Sequence, residues 1–458
     1  MTDCFAVAKW TPEAASTWLG RTVTHIEFKP LAGGASCVTN IMTVTFEGEE
    51  AAPVQYVLKV QQAANGLGLS REAHFYSDVW AFDEANSAFP PATRRQLAPH
   101  LAKCHFARGD QVPGPTPPGI PVDRKAIVLD FVAGSVDSGY FHGRHSPHNV
   151  TQFADEAALT ARVQPWLDRG VTQAKVATQA ARLAAVFHAP WFGRPLAELV
   201  ADPRLASARA RDWLEAVLAD AAAPPPTWQS AHEFSHGVWT QELERAAVAG
   251  ERPFGFSPLV EEVVRASLAK TTWDDYKQRA RAAPLGLAFG DFHPSNQLVG
   301  RDLLGGAGGA GASAVGGGMP HLTLLDFEMF GFGEPLQDVG QYLLSHSRPE
   351  VIFALEHDFV RTYLAELTEQ LRLCGNRAGV EWLQRAAAGA ADDDSAGAAA
   401  RHAYFFAQQV EAGLGRWLWL LPILSLYFKT AHSFFHDQVD AYLVHHNITG
   451  DNAPAMRI

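Results

Sequence analysis

The sequence predicts an α+β fold with a small, β-rich amino-terminal part and a larger, mainly helical remainder. Two β-rich runs joined by a Gly/Ser turn lie in residues 23–46, and a third run, "VQYVLKV", covers 54–60. Apolar residues then recur at helical spacing in 171–189, and aromatic side chains are spread through 404–443 in a helical pattern. This order of elements favours the α+β class.

Local signals define the first helices. Thr11 as N-cap, with Pro12 at the first helical position, predicts an early helix. Ser70 is expected to cap a second helix over 70–82. Both helices would lie within the β-rich part of the chain.

Further strands are expected on either side of the first helical region. The run "AIVLDFVAG" (126–134) predicts a buried strand that enters a turn at Gly134. A second β-rich patch is expected in 287–300 and 321–331. This patch interrupts the helical remainder.

The composition is that of an ordinary globular protein. Of the 458 residues, 47% are hydrophobic and 19% are charged, which excludes a mainly disordered or fibrous chain. Acidic side chains outnumber basic ones, 49 to 37, and no block of Lys or Arg stands out. This balance disfavours a nucleic-acid partner, although a local basic pocket for a phosphate stays compatible with it.

Cysteine usage and the amino terminus favour the cytoplasm. The four cysteines are far apart and form no CxxC pair, which fits a reducing compartment. The first twenty residues have no long apolar core, so no secretory signal is expected. The most apolar run, 417–428, is twelve residues long, whereas a bilayer span needs about twenty. We therefore expect a buried helix there and no membrane span.

Two low-complexity stretches, at about 301–319 and about 386–400, are expected to be flexible insertions. The first is rich in Gly and the second in Ala and Asp, so neither has the side chains for a packed core. Gly306, Gly308 and Gly311 form a literal GxGxxG. A dinucleotide fingerprint would have to close a strand and open a helix, and this stretch does neither.

The stretch "GDFHPSN" (290–296) places a carboxylate and a carboxamide, Asp291 and Asn296, five positions apart in a short polar loop. Asx-turn chemistry alone would explain either residue. Downstream, Asp326 ends the apolar run "LTLLD", where a carboxylate is costly unless it meets a cation. Phosphoryl transfer needs such a set, because one Asp accepts the proton of the attacking hydroxyl while an Asn and a second Asp hold Mg²⁺.

A nucleotide clamp is expected in the amino-terminal part. Lys59 lies inside an apolar strand, where an unpaired ammonium is costly. Glu72 follows 13 residues later on the predicted helix and is well placed to pair with it. The turn "LAGGASCVTN" (31–40) is expected to bring backbone N–H groups to the phosphates. Each feature alone is compatible with a structural role, but their order along the chain favours a nucleotide site.

Together these motifs resemble those of aminoglycoside phosphotransferases and choline-kinase-like enzymes. The matching features, over roughly 23–345, are the Gly-rich turn at 33–36, Lys59, Glu72, the strand into Gly134, "LAAVFHA" (183–189), "GDFHPSN" (290–296), "LLDFE" (324–328) and "GEPLQDVGQYL" (333–343). The resemblance implies a bilobal protein-kinase-like fold, with a nucleotide-binding N-lobe over 1–132 and a C-lobe over 133–458. It also implies ATP and Mg²⁺ as cofactors.

The resemblance implies roles for single positions. Asp291 would be the catalytic base, Asn296 and Asp326 the magnesium ligands, and Asp338 the acid that braces the catalytic loop. The implied ATP contacts are Gly33, Gly34 and Ser36 in the turn over the phosphates, Lys59 at the α- and β-phosphates, Glu72 beside that lysine, and Asp130, Phe131 and Val132 at the adenine hinge.

Three residues near these motifs differ from the family pattern or add to it. Phe289 stands where the family commonly has a histidine that braces the loop. His293 could serve in the loop, although a lone loop histidine is more often a local hydrogen bonder. Glu328 resembles the glutamate that follows the Asp-Phe pair in choline kinases, and it is a candidate substrate contact.

Candidate acceptor-binding residues lie in the last helices. Trp417 and Trp419, with Glu411 nearby in sequence, form a candidate cage for a quaternary or primary ammonium through cation–π contact and charge. The stretch loosely resembles the tryptophan-bearing segment of choline and ethanolamine kinases, with a narrower W-x-W spacing here. Aromatic residues at helical spacing are also typical of a buried core, so both interpretations stay open.

We therefore expect an ATP/Mg-dependent kinase that phosphorylates a hydroxyl of a small molecule, with an amino-alcohol such as choline or ethanolamine as a candidate cationic acceptor. The alternative is a non-catalytic nucleotide- or ligand-binding protein on the same fold. A protein kinase is disfavoured because Asp326 is followed by Phe-Glu rather than Phe-Gly. No Walker A pattern occurs, which disfavours a P-loop ATPase. The sequence determines neither the acceptor nor the oligomeric state.

Overall fold

The chain divides into two compact units. The computed structural model describes residues 4–31, 38–48, 52–63, 70–112, 122–304, 318–386, 394–427 and 432–458. The first unit comprises Met1–Ser135, Pro203–Arg209 and Thr323–Phe330, and the second comprises Val136–Asp202, Ala210–Leu322 and Gly331–Ile458. Gly33, Gly34 and Ser36, with most of the Gly-rich stretch and part of the Ala/Asp-rich one, lie outside the described residues. The lobe boundary at residue 132 stays a prediction.

The first unit is built on an antiparallel sheet with strand order β1-β2-β3-β5-β4. Its strands are β1 (Val23–Pro30), β2 (Val38–Phe46), β3 (Val54–Ala63), β4 (Cys104–Val112) and β5 (Val122–Asp130). Its helices are α1 (Pro12–Leu19), α2 (Arg71–His74) and α3 (Pro91–Leu97). The predicted β-rich amino-terminal part is confirmed.

Alternation along the strands gives the sheet two different faces. On one face, Met42, Leu58 and Val128 are fully buried in a hydrophobic core that also contains Trp10. Trp10 lies 4.4 Å from Trp18 of α1, ring centroid to ring centroid. The residues at the alternate positions of β3 and β5 point to the opposite face.

Helices α1 and α2 both begin where the sequence predicts, but only α1 has the predicted side-chain cap. The Thr11 hydroxyl accepts a hydrogen bond from a backbone N–H of the first turn at 3.3 Å. Ser70 precedes α2, but its hydroxyl donates to Asp123 Oδ1 at 3.3 Å and does not cap the helix. The predicted side-chain cap at Ser70 is therefore wrong, because Ser70 has helical backbone angles, φ −63° and ψ −18°, whereas a capping residue is typically extended. The helix also continues as a π-helix over Phe75–Val79.

The second unit is mainly helical, as predicted. Its helices are α4 (Asn149–Gln152), α5 (Glu156–Leu167), α6 (Gln173–His188), α7 (Leu196–Ala201), α8 (Arg211–Leu218), α9 (Pro226–Ala249), α10 (Pro258–Lys270), α11 (Trp273–Ala282), α12 (Leu336–His346), α13 (Pro349–Leu373), α14 (Arg377–Ala386), α15 (Asp394–Tyr427) and α16 (His432–His445).

Short strands supply the second β-rich patch. They are β6 (Val136–Asp137), β7 (Gly286–Ala288), β8 (Gln297–Leu304), β9 (Met319–Leu324) and β10 (Gly331–Gly333). They pair in the orders β10-β7 and β6-β8-β9. The polar loop 289–296 therefore leaves one short strand and enters another.

The apolar run near the end of the chain is a buried helix, as expected. Residues 417–427 form the end of α15, and Leu418 and Leu421 are fully buried. Among the helices that the structure describes, none is both long enough and apolar enough to cross a bilayer.

Helices α12 and α15 touch at a pair of glycines. A Cβ added at Gly340 would lie 2.2 Å from the Gly413 Cα, and one added at Gly413 would lie 2.4 Å from the Gly340 Cα. These distances leave no room for a side chain, so the two backbones are in direct contact. The contact matters because α12 and α15 both carry side chains that reach the loop 289–296.

Gly340→Ala is expected to reduce the free energy of unfolding by about 2–3 kcal/mol, because an added methyl group can be accommodated only by moving one helix backbone. Urea unfolding followed by tryptophan fluorescence measures the change. Gly237→Ala in α9 is the matched control, since a Cβ there meets nothing within 4 Å. Gly237→Ala should leave the free energy of unfolding unchanged or raise it by up to about 1 kcal/mol. Equal stability of the two variants would contradict the close contact.

Candidate active site

The loop 289–296 is fixed to α12 through its backbone. Gly290 has φ of 77°, in the left-handed region that favours glycine, and Asp291 follows it. Asp338 Oδ2 accepts the N–H of Phe289 at 2.7 Å, and Asp338 Oδ1 accepts the N–H of Gly290 at 3.0 Å. One buried carboxylate therefore holds both backbone N–H groups that precede Asp291.

A buried hydrogen-bond chain supports Asp338. His188 Nε2 lies 3.0 Å from Asp338 Oδ2, and His188 Nδ1 lies 3.0 Å from the Tyr363 hydroxyl. Burial raises the pKa of Tyr363 well above its ordinary value, so the hydroxyl keeps its proton. Because a carboxylate can only accept, His188 donates its Nε2–H to Asp338.

Phe289 takes part in the loop by packing. Its ring stacks on Phe187 at 3.9 Å and on Phe292 at 4.9 Å between ring centroids. The group that Asp338 holds is the Phe289 backbone N–H, which does not depend on the side chain. The departure from the family pattern at this position therefore leaves that contact in place.

Two carboxamides orient the Asp291 carboxylate. Gln341 Nε2, on α12, donates to Oδ1 at 2.7 Å. Asn296 Nδ2 lies 3.3 Å from Oδ2 and donates to the Asp291 carbonyl oxygen at 2.9 Å. Because Asn296 uses its nitrogen here, its amide oxygen is the atom that it can offer to a metal ion.

Arg416 of α15 brings a buried guanidinium to the same loop. Its Nη2 donates to the Gly290 carbonyl oxygen at 2.8 Å, and its guanidinium carbon lies 4.6 Å from the centroid of the Trp419 ring. Burial lowers the pKa of Arg416, while the charges of Asp291 and Asp338 oppose that shift. The arginine thus places positive charge close to the Asp291 carboxylate.

The Asp291 carboxylate is ionised at neutral pH. Burial by itself would raise its pKa, but the charge and hydrogen bond of His293, the charge of Arg416 and the hydrogen bond from Gln341 lower the pKa to about 2. The His293 Nε2 atom lies 3.5 Å from Asp291 Oδ2. The loop therefore presents an oriented carboxylate that can accept a hydrogen bond from a hydroxyl group.

The first unit contains two lysines and three carboxylates in contact, here named the lysine–carboxylate cluster: Lys59, Lys125, Glu72, Asp326 and Glu328. Lys59 Nζ donates to Glu72 Oε1 at 2.7 Å, and Lys125 Nζ donates to Glu72 Oε2 at 2.7 Å. Lys125 Nζ also contacts Glu328 Oε1, and Lys59 Nζ lies 3.8 Å from Asp326 Oδ1. Each oxygen of Glu72 therefore has its own lysine.

Strand register explains why both lysines reach Glu72. Lys59 of β3 pairs with Ile127 of β5, and Lys125 lies two residues before Ile127. Side chains alternate between the faces of a sheet, so both lysines point to one face as diagonal neighbours. Sequence reasoning misses Lys125, although a lysine within the strand run "VDRKAIVLD" would indicate it.

The segment that carries Asp326 is held beside α2. Asp326 has φ of 62°, which is uncommon for a residue other than glycine. The Phe327 ring stacks on Phe75 at 3.8 Å, with the ring planes 5° apart. Arg71 Nε donates to the Glu328 carbonyl oxygen at 3.0 Å. These contacts fix the backbone that follows the carboxylate.

The lysine–carboxylate cluster has the oxygen ligands that a hard divalent cation prefers. Carboxylate oxygens of Glu72, Asp326 and Glu328 lie within 4.8 Å of one another. Burial and the charge of Asp326 raise the pKa of Glu328, and Lys125 only partly offsets them. These carboxylate oxygens are therefore the atoms of the cluster that would hold a Mg²⁺ ion.

Acidification is expected to weaken the first unit through Glu72. Burial by itself would raise the pKa of Glu72, but Lys125 and Lys59 lower it from 4.5 to about 2. A depressed carboxylate pKa stabilises the folded state above the unfolded-state pKa, and this stabilisation is lost as the pH falls through the folded-state pKa. Between pH 5 and pH 2 the loss should be on the order of 3 kcal/mol. Urea unfolding across this range should show a smaller loss for Glu72→Gln, and equal losses would contradict the assignment.

Asp130, the first of the expected hinge residues, ends β5, and Phe131 and Val132 follow it in the chain. Asp130 Oδ1 lies 2.6 Å from His105 Nε2, and the N–H of Phe131 is 3.4 Å from the Gln55 carbonyl oxygen. The Ser135 hydroxyl donates to the Val132 carbonyl oxygen at 2.7 Å. Their role at adenine stays a prediction.

Two residues of the candidate ammonium cage, Glu411 and Trp419, contact arginines of the protein. Glu411 Oε1 accepts from Arg457 Nη2 at 2.9 Å, and the Trp419 ring faces the Arg416 guanidinium. Trp417 is buried, with 2% of its surface exposed. A cationic acceptor seated on Glu411 and Trp419 would have to compete with both guanidinium groups.

Two residues that sequence reasoning misses act on the loop at Asp291: Gln341 contacts its carboxylate, and Arg416 contacts the preceding carbonyl oxygen. Gln341 lies three positions after Asp338, which places both on one face of α12. That three-residue spacing from Asp338 could have indicated Gln341 from the sequence. Arg416 is an isolated charge in the apolar run "GLGRWLWLL", and a charge in such a run indicates a specific partner without naming it.

Comparisons with known proteins returned structures but no family. No protein-family model matches the chain, and no curated protein matches it. Ethanolamine kinase of Plasmodium vivax is similar at 10% identity over 93% of this chain and 83% of that one, with a TM-score of 0.41. A choline kinase from Cryptosporidium parvum is 10% identical over 93% and 92%, with a TM-score of 0.34. Aminoglycoside 2'-phosphotransferase-IIIa is 10% identical over 95% and 96%, with a TM-score of 0.37.

These three structures belong to the enzyme classes that the sequence motifs resemble. At such identities and TM-scores, the likeness carries no argument about activity, cofactor or substrate.

Proposed function

We propose that the chain is a phosphotransferase that uses Mg·ATP and transfers the γ-phosphate to a hydroxyl of a small molecule. The observation that carries this proposal is the Asp291 carboxylate, which is ionised at neutral pH and oriented by Gln341 and Asn296. Phosphoryl transfer depends mainly on positioning and electrostatics, and a fixed carboxylate suits the group that orients the attacking hydroxyl.

In the second unit, Asp291 is the proposed catalytic base. A carboxylate with a pKa of about 2 is too weak a base to generate an alkoxide in advance. It suits a loose transition state, in which the hydroxyl needs orientation first and gives up its proton as the new P–O bond forms. Asn296 is a proposed magnesium ligand through its amide oxygen, and Asp338 is the proposed brace of the loop.

In the first unit, Lys59 is proposed to contact the α- and β-phosphates, with Glu72 as the residue that positions it. Asp326 is a proposed magnesium ligand, because it lies 3.8 Å from Lys59 among carboxylate oxygens that suit the ion. Bound Mg²⁺ supplies positive charge that neutralises the phosphates. Glu328 stays a candidate substrate contact, and its carboxylate already contacts Lys125.

Further ATP contacts are proposed from the motif resemblance alone. They are Gly33, Gly34 and Ser36 over the phosphates and Asp130, Phe131 and Val132 at the adenine. The motif resemblance also supports an amino-alcohol such as choline or ethanolamine as the proposed acceptor. The cytoplasmic location and the lack of a nucleic-acid partner are proposals from composition.

An acceptor screen tests the proposed function. The purified chain is incubated with Mg·ATP and, separately, choline, ethanolamine, aminoglycosides, homoserine, sugars and methylthioribose, and ADP release is measured. Acceptor-dependent ADP release, with a product heavier by one phosphoryl group, is the expected result. A melting shift with Mg·ATP but no turnover on any acceptor would favour the non-catalytic alternative. If the chain showed no melting shift and no turnover, both the proposed function and the non-catalytic alternative would be rejected.

A further inference from the structure

A buried carboxylate meets two adjacent histidines where α16 ends. Glu356 of α13 is fully buried, and His445 is the last residue of α16, with His446 next in the chain. His446 Nε2 lies 3.2 Å from Glu356 Oε2, and His445 Nε2 lies 3.4 Å from Glu356 Oε1. None of these residues has a part in the proposed phosphotransferase chemistry.

The Glu356 carboxylate is incompletely satisfied by these contacts. Within the ranges that the structure describes, Oε1 receives no hydrogen bond. The ion pairs that Glu356 makes there are with imidazoles. A buried carboxylate with an unsatisfied oxygen is unfavourable, so the site calls for a positive charge close to Oε1.

The spacing of the three groups is that of ligands around one ion. With metal–ligand bonds of about 2.0–2.1 Å and tetrahedral angles, an oxygen and a nitrogen that share one Zn²⁺ lie about 3.3 Å apart. The observed separations are 3.2 Å from His446 Nε2 to Oε2 and 3.4 Å from His445 Nε2 to Oε1, so each imidazole lies next to a different oxygen of Glu356. One ligand atom from each of the three residues lies within 4.8 Å of the other two. Without an ion, the 3.2 Å contact between His446 Nε2 and Glu356 Oε2 is a hydrogen bond at the long end of the usual range.

Aromatic contacts hold the two imidazoles in different planes. The His445 ring stacks on Phe353 at 3.8 Å, and the His446 ring lies 4.3 Å from the Tyr442 ring. The two imidazole planes are 90° apart. Imidazoles in different planes are compatible with a tetrahedral ion, and contacts that fix ligand orientation strengthen metal binding.

Solvent can reach the site from the His445 side. The His445 side chain is 43% exposed, whereas that of His446 is 11% exposed. An ion can therefore enter from the surface and keep a water molecule as its fourth ligand. Two imidazole nitrogens and one carboxylate oxygen suit Zn²⁺ or a similar transition metal better than Mg²⁺.

We propose that Glu356, His445 and His446 bind one divalent transition-metal ion, which ties the end of α16 to α13. The ion neutralises the buried carboxylate and links two helices of the second unit. This site is separate from the magnesium ligands proposed above, and it does not depend on the proposed function.

Zinc binding by the full chain tests the site. The chain is stripped with a chelator, dialysed and titrated with Zn²⁺ in a calorimeter. Wild type should bind one Zn²⁺ with micromolar or tighter affinity and melt at a higher temperature with the ion. His445→Ala should weaken binding at least about tenfold and abolish the melting shift. Because His445 is partly exposed, this variant is expected to fold.

Two further variants complete the test. Glu356→Gln should weaken binding in the same way, whereas His25→Ala, an exposed histidine of β1, should bind Zn²⁺ as wild type does. Co²⁺ in place of Zn²⁺ should give visible absorption typical of a tetrahedral nitrogen and oxygen site, and His445→Ala should lack it. No zinc binding by wild type, or equal binding by His445→Ala and wild type, would overturn the proposal, the second result indicating adventitious surface binding.

Discussion

Asp291→Asn is expected to lower kcat by about 10³-fold and to leave the Kd of the nucleotide within about twofold of wild type. The substitution keeps the size of the side chain but removes the charge that orients and deprotonates the attacking hydroxyl. Nucleotide binding should persist, because the proposed phosphate contacts of Lys59 do not involve this carboxylate. The acceptor found in the screen is used to measure kcat, and calorimetry with Mg²⁺ and a non-hydrolysable ATP analogue measures the Kd.

A surface variant of the same kind controls for loss of charge. Asp168→Asn removes an exposed carboxylate at the end of α5 and should retain wild-type kcat. Unfolding curves of both variants establish that the fold is intact. If Asp291→Asn kept kcat within tenfold of wild type, Asp291 would not be the catalytic base.

Lys125→Met is expected to reduce the free energy of unfolding by about 3–5 kcal/mol. Lys125 is fully buried and contacts the carboxylates of both Glu72 and Glu328. Methionine fills a similar volume but leaves two buried carboxylates without that cation. Urea unfolding at pH 7 measures the loss, and Lys103→Met, at an exposed lysine of the same unit, should change stability by less than about 0.5 kcal/mol.

A double variant separates the charge from the packing. If uncompensated negative charge causes the loss, Glu328→Gln added to Lys125→Met should restore at least about 1 kcal/mol. Acidification should also help the single variant relative to wild type, because protonation of a carboxylate removes the excess charge. A double variant no more stable than Lys125→Met would show that the lysine acts through packing alone.

The two predictions address different parts of the proposal. The Asp291 variant tests chemistry in the second unit, and the Lys125 variant tests the electrostatics that hold Glu72 in place in the first. A stable, inactive Asp291→Asn chain and an unstable Lys125→Met chain would together support the assignments made from each unit separately.

Local sequence patterns predicted several elements correctly, although β4, β6, α3 and most helices of the second unit were not predicted individually. Alternating apolar residues gave the positions of β1, β2 and β3, and Thr11 gave the start of α1. These predictions succeed because strand alternation and helix capping depend on residues close in sequence. The side-chain cap at Ser70 failed because Ser70 itself has helical backbone angles, and its hydroxyl donates instead to Asp123, 53 positions away.

The sequence by itself determined which acids and amides stand in the loop 289–296, and it indicated Lys59 and Glu72 as a pair. Only the tertiary structure decided what surrounds them. Gln341 and Arg416 come to the loop from 50 and 126 positions along the chain, Lys125 joins Glu72 from 53, and Glu356 meets His446 from 90. Such contacts depend on strand register and helix packing, and a local pattern can show that a buried charge needs a partner but not which distant residue supplies it.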